Sequence, residues 1–245
     1  MRIAILADIH GNALALEAVM RDLAAQAPDF TVNLGDCLSG PLWPRETADL
    51  LMAQDWPTVR GNHDRWVSEQ ARSDMIGSDA FAYDAVDASH REWLRALPVN
   101  LRRGECLMFH ARPDDDNAYL LESVNDQGEM ALAAPTDIES RLSGHRATLV
   151  LCGHSHLPRV TKVGDALIVN PGSVGAPGYV DPTPPRPHVS QAGSPHARYA
   201  IATLARGAWT VDLRAIPYDW DRAAAQAERL GRPEWARALA TGFVR

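Results

Sequence analysis

The 245-residue chain contains no apolar stretch long enough to cross a membrane or to form the core of a signal peptide. A transmembrane helix needs roughly 20 apolar residues, whereas the first apolar run ends at Asp8, after the length of one strand. A secretory signal would need a longer apolar region after its basic start. We therefore expect a cytoplasmic protein without a membrane partner.

Basic residues are also scarce, with 24 lysines and arginines against 31 aspartates and glutamates and a net charge of −7. A nucleic-acid duplex is bound mainly through lysine and arginine contacts to its phosphates, and the sequence has no basic run. These features argue against a duplex-binding protein. A small nucleotide or a short oligonucleotide stays compatible with the sequence, because a pair of bound metal ions could supply the positive charge.

Cysteine occurs only three times, at Cys37, Cys106 and Cys152, in a chain too large to need disulfide bonds. We interpret all three as small buried residues near strand ends. The alternative, a thiolate ligand or a redox sensor, applies to Cys37 beside Asp36 and to Cys152 near His154.

What the sequence does contain is the composition of a globular domain, 46% hydrophobic and 22% charged. Apolar patterning predicts strands over residues 2–7 and 30–34 around a helix that starts near Asn12. Later segments, at 159–170 and 199–214, predict antiparallel hairpins. A strand–helix–strand start followed by hairpins fits two packed sheets with helices outside. We expect one domain over residues 1–245.

Two segments differ from this plan. Residues from 66 to 97 look mainly helical, and we predict a cap insertion over about 66–100 that shapes a cleft. The stretch between 172 and 196 is rich in proline and glycine and lacks an apolar period. Such a long connector predicts a lid or a mobile loop.

Metal-binding residue types concentrate in four short segments. These are Asp8-Ile9-His10, Gly35-Asp36, Gly61-Asn62-His63-Asp64 and Gly153-His154-Ser155-His156. Three of these segments follow apolar, strand-like runs. The exception is the segment that begins at Gly61, which follows the shorter strand-like run 58–60. Because ligands gather at the carboxyl ends of parallel strands, we expect the four segments to converge.

The residue types in these segments suit a pair of divalent ions. Asp8 and His10 are two residues apart, as are His154 and His156, so each pair can hold one ion. Asp36 has two carboxylate oxygens and can bridge two ions. Carboxylate, imidazole and amide donors suit Mn, Fe, Zn, Co or Ni, and two such ions form a site for hydrolysing phosphate esters.

Four further residues complete the predicted site. Asn62 offers a neutral amide oxygen, which keeps the metals Lewis-acidic. His110 ends another strand and could complete the ligand shell of the second ion. We expect a metal-bridging hydroxide to attack phosphorus in line. His63 would protonate the leaving alkoxide, with Asp64 orienting and charging its ring.

The motif order D-x-H, G-D, G-N-H-D, H and G-H-x-H resembles the calcineurin-like metallophosphoesterase superfamily. Residues 170–173 look like a turn of its small bacterial and archaeal phosphodiesterase branch, and the resemblance extends from residue 1 to about 213. It implies a four-layer α/β/β/α sandwich of two mixed sheets with flanking helices. It also implies two divalent cations, manganese foremost, with iron, nickel, zinc or cobalt as alternatives. The implied ligands are Asp8, His10, Asp36 and His156 for one ion and Asp36, Asn62, His110 and His154 for the other.

Departures from related patterns narrow the subgroup. Ser/Thr protein phosphatases and symmetrical dinucleoside polyphosphatases of this superfamily carry G-D-x-x-D-R-G, whereas Gly35-Asp36 is followed here by CLSG at 37–40. Purple acid phosphatases need a tyrosine at the position of Ser39. Arg112 follows His110 closely, where relatives often have glycine, and we predict that it contacts the substrate phosphate. A surface arginine is the alternative.

We therefore predict a dinuclear metal-dependent phosphodiesterase that acts on a small soluble phosphate ester. Two alternatives stay open at this point. One is a phosphomonoesterase, including a phosphoprotein phosphatase, and the other is a non-catalytic binding scaffold on the same fold. Pocket shape decides between a monoester and a diester substrate, and it cannot be read from the sequence.

Overall fold

The computed structural model describes residues 1–75, 77–183 and 185–245. The strands are β1 Arg2–Leu6, β2 Phe30–Asn33, β3 Asn100–Arg103, β4 Cys106–Phe109, β5 Glu122–Val124, β6 Met130–Leu132, β7 Leu149–Leu151, β8 Arg159–Val163, β9 Ala166–Asn170, β10 Gly178–Asp181, β11 His188–Gln191, β12 Ala197–Ala205 and β13 Ala208–Ile216. The helices are α1 Ala13–Gln26, α2 Pro44–Met52, α3 Asn62–Glu69, α4 Gly77–Ala85, α5 Ala88–Ala96, α6 Pro135–Arg141, α7 Trp220–Arg229 and α8 Pro233–Thr241. None of these helices is long and apolar enough to cross a bilayer.

Two large mixed sheets carry the architecture. The first has the order β13-β12-β1-β2, with β1 parallel to β2 and antiparallel to β12. The second has the order β3-β4-β7-β9-β8, and its three central strands are parallel. Parallel neighbours end on the same side, so the segments after β1 and β2, and after β4, β7 and β9, emerge at common sheet edges.

Side-chain alternation builds four layers from these sheets, because successive residues of a strand point to opposite faces. Ile3 and Ile5 of β1 pack with Met108 of the second sheet in one buried cluster. Ala4 and Leu6, one position along, belong to the cluster that includes α1 and α2. The outer face of the second sheet packs against α6 through a third cluster. The predicted α/β/β/α sandwich is confirmed.

Helix α1 starts directly after the first metal-binding segment. Asn12 is its N-cap, and its side-chain oxygen accepts a hydrogen bond from the backbone N–H of Ala15 at 3.1 Å. The side-chain amide donates to the carbonyl of Gly175 at 3.0 Å. The cap therefore starts the helix and also ties the segment after β1 to the loop before β10.

Two sequence predictions about local structure were wrong. Residues 58–60 do not form a strand, since Thr58 makes only a single parallel bridge to Asn33. The stretch 172–196 contains the antiparallel hairpin β10–β11 with four paired positions. Ser190 of β11 donates to the carbonyl of Ser155 at 2.5 Å, so the hairpin is fastened to the last metal-binding segment. Its strands are short and partly polar, which hid their alternation.

The helical segment after β2 extends the main core. Val67 of α3, Ala82 of α4 and Leu94 of α5 share one buried cluster with α1 and β1. Asp87 caps α5 by accepting hydrogen bonds from the backbone N–H groups of Ser89 and His90. The helices are integrated into the fold at this face, and the cap over about 66–100 stays a prediction.

Candidate metal centre

Main-chain hydrogen bonds hold the predicted metal-binding segments side by side. The N–H of Asp8 donates to the carbonyl of Gly35 at 3.0 Å, and that of His10 donates to Asp36 at 2.9 Å. On the second sheet, the N–H of Gly153 donates to the carbonyl of His110 at 2.7 Å. These bonds continue the strand pairing beyond the sheets, and they align the ligand side chains.

The ligand segments have an unusual backbone. Eight non-glycine residues of the described chain have positive φ, and five of them are predicted metal ligands, namely Asp8, His10, Asp36, His154 and His156 with φ between 51° and 68°. This left-handed region costs most L-residues roughly 1–2 kcal/mol, although Asp and His enter it more readily than others. Such strain clusters at functional sites.

One cluster joins Asp8, His10 and His156, whose ligand atoms lie within 4.8 Å of one another. His10 directs Nδ1 to the carbonyl of Ser39 at 2.7 Å, and His156 directs Nδ1 to Ala176 at 2.6 Å. Carbonyls only accept, so both Nδ1 atoms carry hydrogen and the Nε2 atoms turn inward. These two Nε2 atoms are 3.1 Å apart.

The second cluster joins Asp36, His110 and His154. His110 directs Nδ1 to the carbonyl of Leu34 at 2.8 Å, which leaves Nε2 3.3 Å from Oδ2 of Asp36. The same Oδ2 atom lies 3.8 Å from Nε2 of His10 in the first cluster. Asp36 therefore stands between the two clusters, as expected for a bridging carboxylate.

The distances in the first cluster fit a shared cation. Two nitrogens bound about 2.1 Å from one ion lie roughly 3.0 Å apart in octahedral and ~3.4 Å apart in tetrahedral geometry. The Nε2 atoms of His10 and His156 are 3.1 Å apart, and Oδ1 of Asp8 is 3.4 Å from Nε2 of His156. The outward Nδ1–H bonds to carbonyls fix the ring tautomers in the way that metal-bound histidines require.

The pKa values in the site reflect crowding of buried charges. Burial, followed by the charge of His156, lowers the pKa of His10 to about 4, so its ring is neutral near pH 7. For His110, burial lowers the pKa, but the charge of Asp36, the hydrogen bond to it and the charge of Asp8 together raise the pKa to about 10. A divalent cation competes with the proton that these carboxylates attract to His110.

Asn62 begins α3, and its side-chain oxygen is buried without a hydrogen-bond partner among the described residues. An unpaired buried acceptor is costly, and a metal ion would satisfy it. Gly61, the residue before Asn62, allows the backbone to lie close to the carboxylate of Asp36. A Cβ built on Gly61 would lie 2.1 Å from Oδ1 of Asp36, so only glycine fits at this position. All seven predicted ligands are buried or half-buried.

His63 lies beside the first cluster, with its ring centroid 5.5 Å from that of His10. The sequence predicted Asp64 as the partner of His63, and this prediction was wrong. The carboxylate of Asp64 accepts instead from the backbone N–H groups of Gly61, Asp36 and Cys37 at 2.8–2.9 Å. It therefore shapes the turns that present the ligands.

The residue that pairs with His63 is Asp79 of α4, with Nδ1 and Oδ1 2.7 Å apart. Burial lowers the pKa of His63, but the charge of Asp36 and the bond to Asp79 raise it to about 9. Asp79 lies 16 residues beyond His63 in a helical stretch without a motif. Local sequence patterns therefore gave no indication of this partner.

The remaining candidate residues contribute in different ways. Arg112 donates its Nε–H to the carbonyl of Tyr119 at 3.0 Å and supports a loop, so a phosphate contact stays a prediction. The sequence also gave no signal for a tyrosine pair beside the site. The hydroxyls of Tyr119 and Tyr179 are 2.5 Å apart, and the ring of Tyr179 packs edge-on against His156. The three cysteines are buried and unpaired, and burial raises their thiol pKa values.

Fold and site together define an α/β/β/α protein with two groups of candidate metal ligands at the strand ends. The calcineurin-like phosphoesterase superfamily domain matches residues 1–188. The chain therefore belongs to the calcineurin-like phosphoesterase superfamily, a family of metal-dependent hydrolases.

Similar proteins support this placement over nearly the whole chain. An uncharacterized protein of Methanocaldococcus jannaschii is 23% identical, and the alignment covers 95% of this chain and 94% of the relative. The crystal structure of a metallophosphoesterase from Sphaerobacter thermophilus is 25% identical with a TM-score of 0.77, covering 99% of this chain and 100% of that one. A hypothetical protein from Pyrococcus horikoshii shares the fold, with a TM-score of 0.74, 18% identity and coverage of 99% and 98%.

Proposed function

We propose that the protein is a dinuclear metal-dependent phosphodiesterase that acts on a small soluble phosphate ester. The observation that carries this proposal is the position of Asp36. Its Oδ2 atom lies 3.3 Å from a histidine nitrogen of one cluster and 3.8 Å from a histidine nitrogen of the other. A single carboxylate placed in this way suits two cations held side by side.

The proposed ligands are those implied by the family motifs. Asp8, His10, Asp36 and His156 would hold one ion, and Asp36, Asn62, His110 and His154 would hold the other. Divalent cations, when bound, neutralise phosphate charge and lower the pKa of water. Manganese is our first choice of metal, since mixed carboxylate, imidazole and amide donors suit it.

Within the chain itself, His63 is suited to donate a proton. Its Nδ1 faces Asp79, which leaves Nε2 to meet a leaving group. The side chain is 28% exposed, so a substrate can reach it. A positioned acid of this kind typically contributes 10²–10⁴-fold to the rate.

The charges around the site favour a diester over a monoester. A monoester dianion carries one more negative charge and is usually met by arginine forks. Arg65, beside the ligand turn, is engaged by Asp116 through two bonds of 2.7 Å. Arg112 points one donor at a backbone carbonyl. Because both guanidinium groups already have partners in the protein, less positive charge is available to bind a dianionic monoester.

The helices α3 to α5 fit the proposed cap, since Asp79 of α4 contacts His63 at the site.

We also propose a cytoplasmic location, because three free buried cysteines suit a reducing compartment.

A test starts from the purified protein after chelation, with single metals added back. We expect turnover of bis(p-nitrophenyl) phosphate with Mn²⁺ and slower turnover of p-nitrophenyl phosphate. Asp36→Asn should lower the content of both ions, measured by elemental analysis. His63→Ala should keep two ions per chain and slow turnover of alkyl esters by ~10²-fold or more.

A control variant away from the candidate site separates these effects from general damage. His145→Ala changes a histidine that lies apart from the clusters, and it should keep both metal content and rate. Metal-independent turnover, or no turnover with any added metal, would refute the proposal. A monoester preference would retain the hydrolase and reject the diester assignment.

A further inference from the structure

A small cavity opens between β10 and the start of α8, outside the metal clusters. Its volume is about 190 Å³. The lining residues are Gly178, Tyr179, Val180, Arg232, Glu234, Trp235 and Val244. Two half-buried aromatic rings and two valines make most of its walls, and one guanidinium and one carboxylate stand at its edge. The family match ends at residue 188, so α8 adds this wall beyond the matched region.

The cavity adjoins the metal centre through both of its rings. The ring of Tyr179 packs edge-on against His156 with centroids 4.7 Å apart. The ring of Trp235 lies edge-on to His10 with centroids 6.0 Å apart. His10 and His156 are the two imidazoles of the first cluster, so a group in the cavity would lie next to a phosphate held there.

The edge of the cavity also reaches toward the proposed acid. Arg232 donates to the hydroxyl of Ser78 at 3.4 Å. The next residue of α4, Asp79, is the partner of His63. Arg232 therefore links the cavity edge to α4, the helix that carries the partner of His63.

The chemistry of the walls selects a flat and uncharged occupant. Arg232 and Glu234 are joined by a bond of 2.6 Å, so their charges largely cancel. Aromatic walls bind planar rings by stacking. A guanidinium has five N–H donors, and the bonds to Glu234 and Ser78 use only some of them. Donors and a carboxylate acceptor thus stand beside the rings, as the edge of a nucleobase requires.

The size of the cavity sets an upper limit on that occupant. Pockets for drug-sized ligands start near ~300 Å³, whereas this one is about 190 Å³. It therefore accommodates a single ring system and excludes a dinucleotide or a folded peptide.

We propose that this cavity binds the base of a nucleotide ester, with Trp235 as the stacking residue. The inference rests on the proposed function, because it places the phosphate of the same molecule at the metal clusters. It narrows the substrate class to phosphate esters that carry one nucleobase.

The first measurement is equilibrium binding to the Mn²⁺-loaded protein by calorimetry. Adenosine 5′-phosphate and glycerol phosphate serve as probes with the same phosphate and different organic groups. We expect tighter binding of the nucleotide, and Trp235→Ala should weaken it by roughly 5- to 150-fold, the range of one base–aromatic stack. Trp235→Phe should restore most of the preference. Trp209→Ala, which changes a tryptophan of β13 outside the cavity lining, should keep it.

The second measurement compares kcat/KM for the methyl esters of the same two phosphates by phosphorus NMR. We expect the ratio of nucleotide to glycerol ester to fall in Trp235→Ala and to persist in Trp235→Phe. Equal binding and equal kcat/KM for both compounds in the wild type would overturn the cavity assignment, as would an unchanged ratio in Trp235→Ala. Selective binding without turnover of either ester would support the cavity and refute the proposed function.

Discussion

The contact between His63 and Asp79 gives the sharpest test of how this site works. Nδ1 and Oδ1 are 2.7 Å apart, and the two side chains are 28% and 16% exposed. Both are less than a third exposed, so solvent screens the pair only partly. The carboxylate fixes the ring orientation and keeps the proton on Nδ1, which leaves Nε2 available for the proposed proton donation.

We predict that Asp79→Asn slows the release of poor leaving groups. A hydrogen bond to a charged partner contributes about 1.5–3 kcal/mol, which corresponds to roughly 10- to 150-fold in rate at 1.36 kcal/mol per tenfold. The effect belongs to proton donation, so it should grow with the pKa of the leaving alcohol. Removal of the carboxylate also lowers the pKa of His63, because Asp79 helps to raise it.

The assay measures kcat and KM for a series of esters from p-nitrophenyl to alkyl. A p-nitrophenolate leaves without help from an acid, so its kcat should fall far less than that of an alkyl ester. KM should change little for both. Asp84→Asn provides a matched control, since Asp84 lies on the same helix and pairs with Arg72 at the surface.

A double-mutant cycle decides whether Asp79 acts through His63. In a His63→Ala background, Asp79→Asn should add almost nothing to the loss for alkyl esters. Full additivity would refute the reasoning, and so would an equal loss for aryl and alkyl esters. Either result would make Asp79 a structural residue of α4.

Two further predictions concern other parts of the chain. Gly61→Ala should lower metal content several-fold with little change in helix content by circular dichroism, because its Cβ would lie 2.1 Å from Oδ1 of Asp36; two ions retained per chain would contradict this. Asp22 accepts from the hydroxyl of Tyr199 and from Arg214; burial raises its pKa, but these two partners lower it overall. Its contribution to stability is therefore complete above the unfolded pKa near ~3.9 and is lost as pH falls through the lower folded pKa. Asp22→Asn should cost about 1–3 kcal/mol at pH 7 in denaturant unfolding and flatten the stability change below pH 4.

The sequence was informative where function depends on residues close together in the chain. Asp8 with His10 and His154 with His156 form recognisable pairs, and the strands before them are strongly apolar. The same apolar alternation gave the layers of the sandwich. These features depend on local periodicity and on short spacing, which a single sequence records directly.

The sequence was uninformative where a residue acts on a partner far along the chain. Asp64 was the obvious partner for His63 because it is adjacent, yet helix geometry turns it back toward Gly61 and Asp36. Asp79 reaches the ring only because α4 folds over α3. The hairpin β10–β11 was missed for a related reason, since its pairing partner and its packing surface come from other segments.

The backbone explains why the ligands converge as they do. Five of the proposed ligands adopt positive φ, and at roughly 1 kcal/mol each the combined cost is comparable to the ~5 kcal/mol lower end of typical domain stability. The surrounding structure must therefore hold them. It does so through main-chain bonds such as that from His10 to Asp36, through Ser190 of the hairpin, and through Asp64 at the ligand turns. Asp64, which looked catalytic in the sequence, and the hairpin, which looked like a mobile loop, thus hold the strained backbone of the candidate site in place. The proposed acid His63 lies on α3 and its partner Asp79 on α4, and α8 contributes Trp235 to the proposed base-binding cavity.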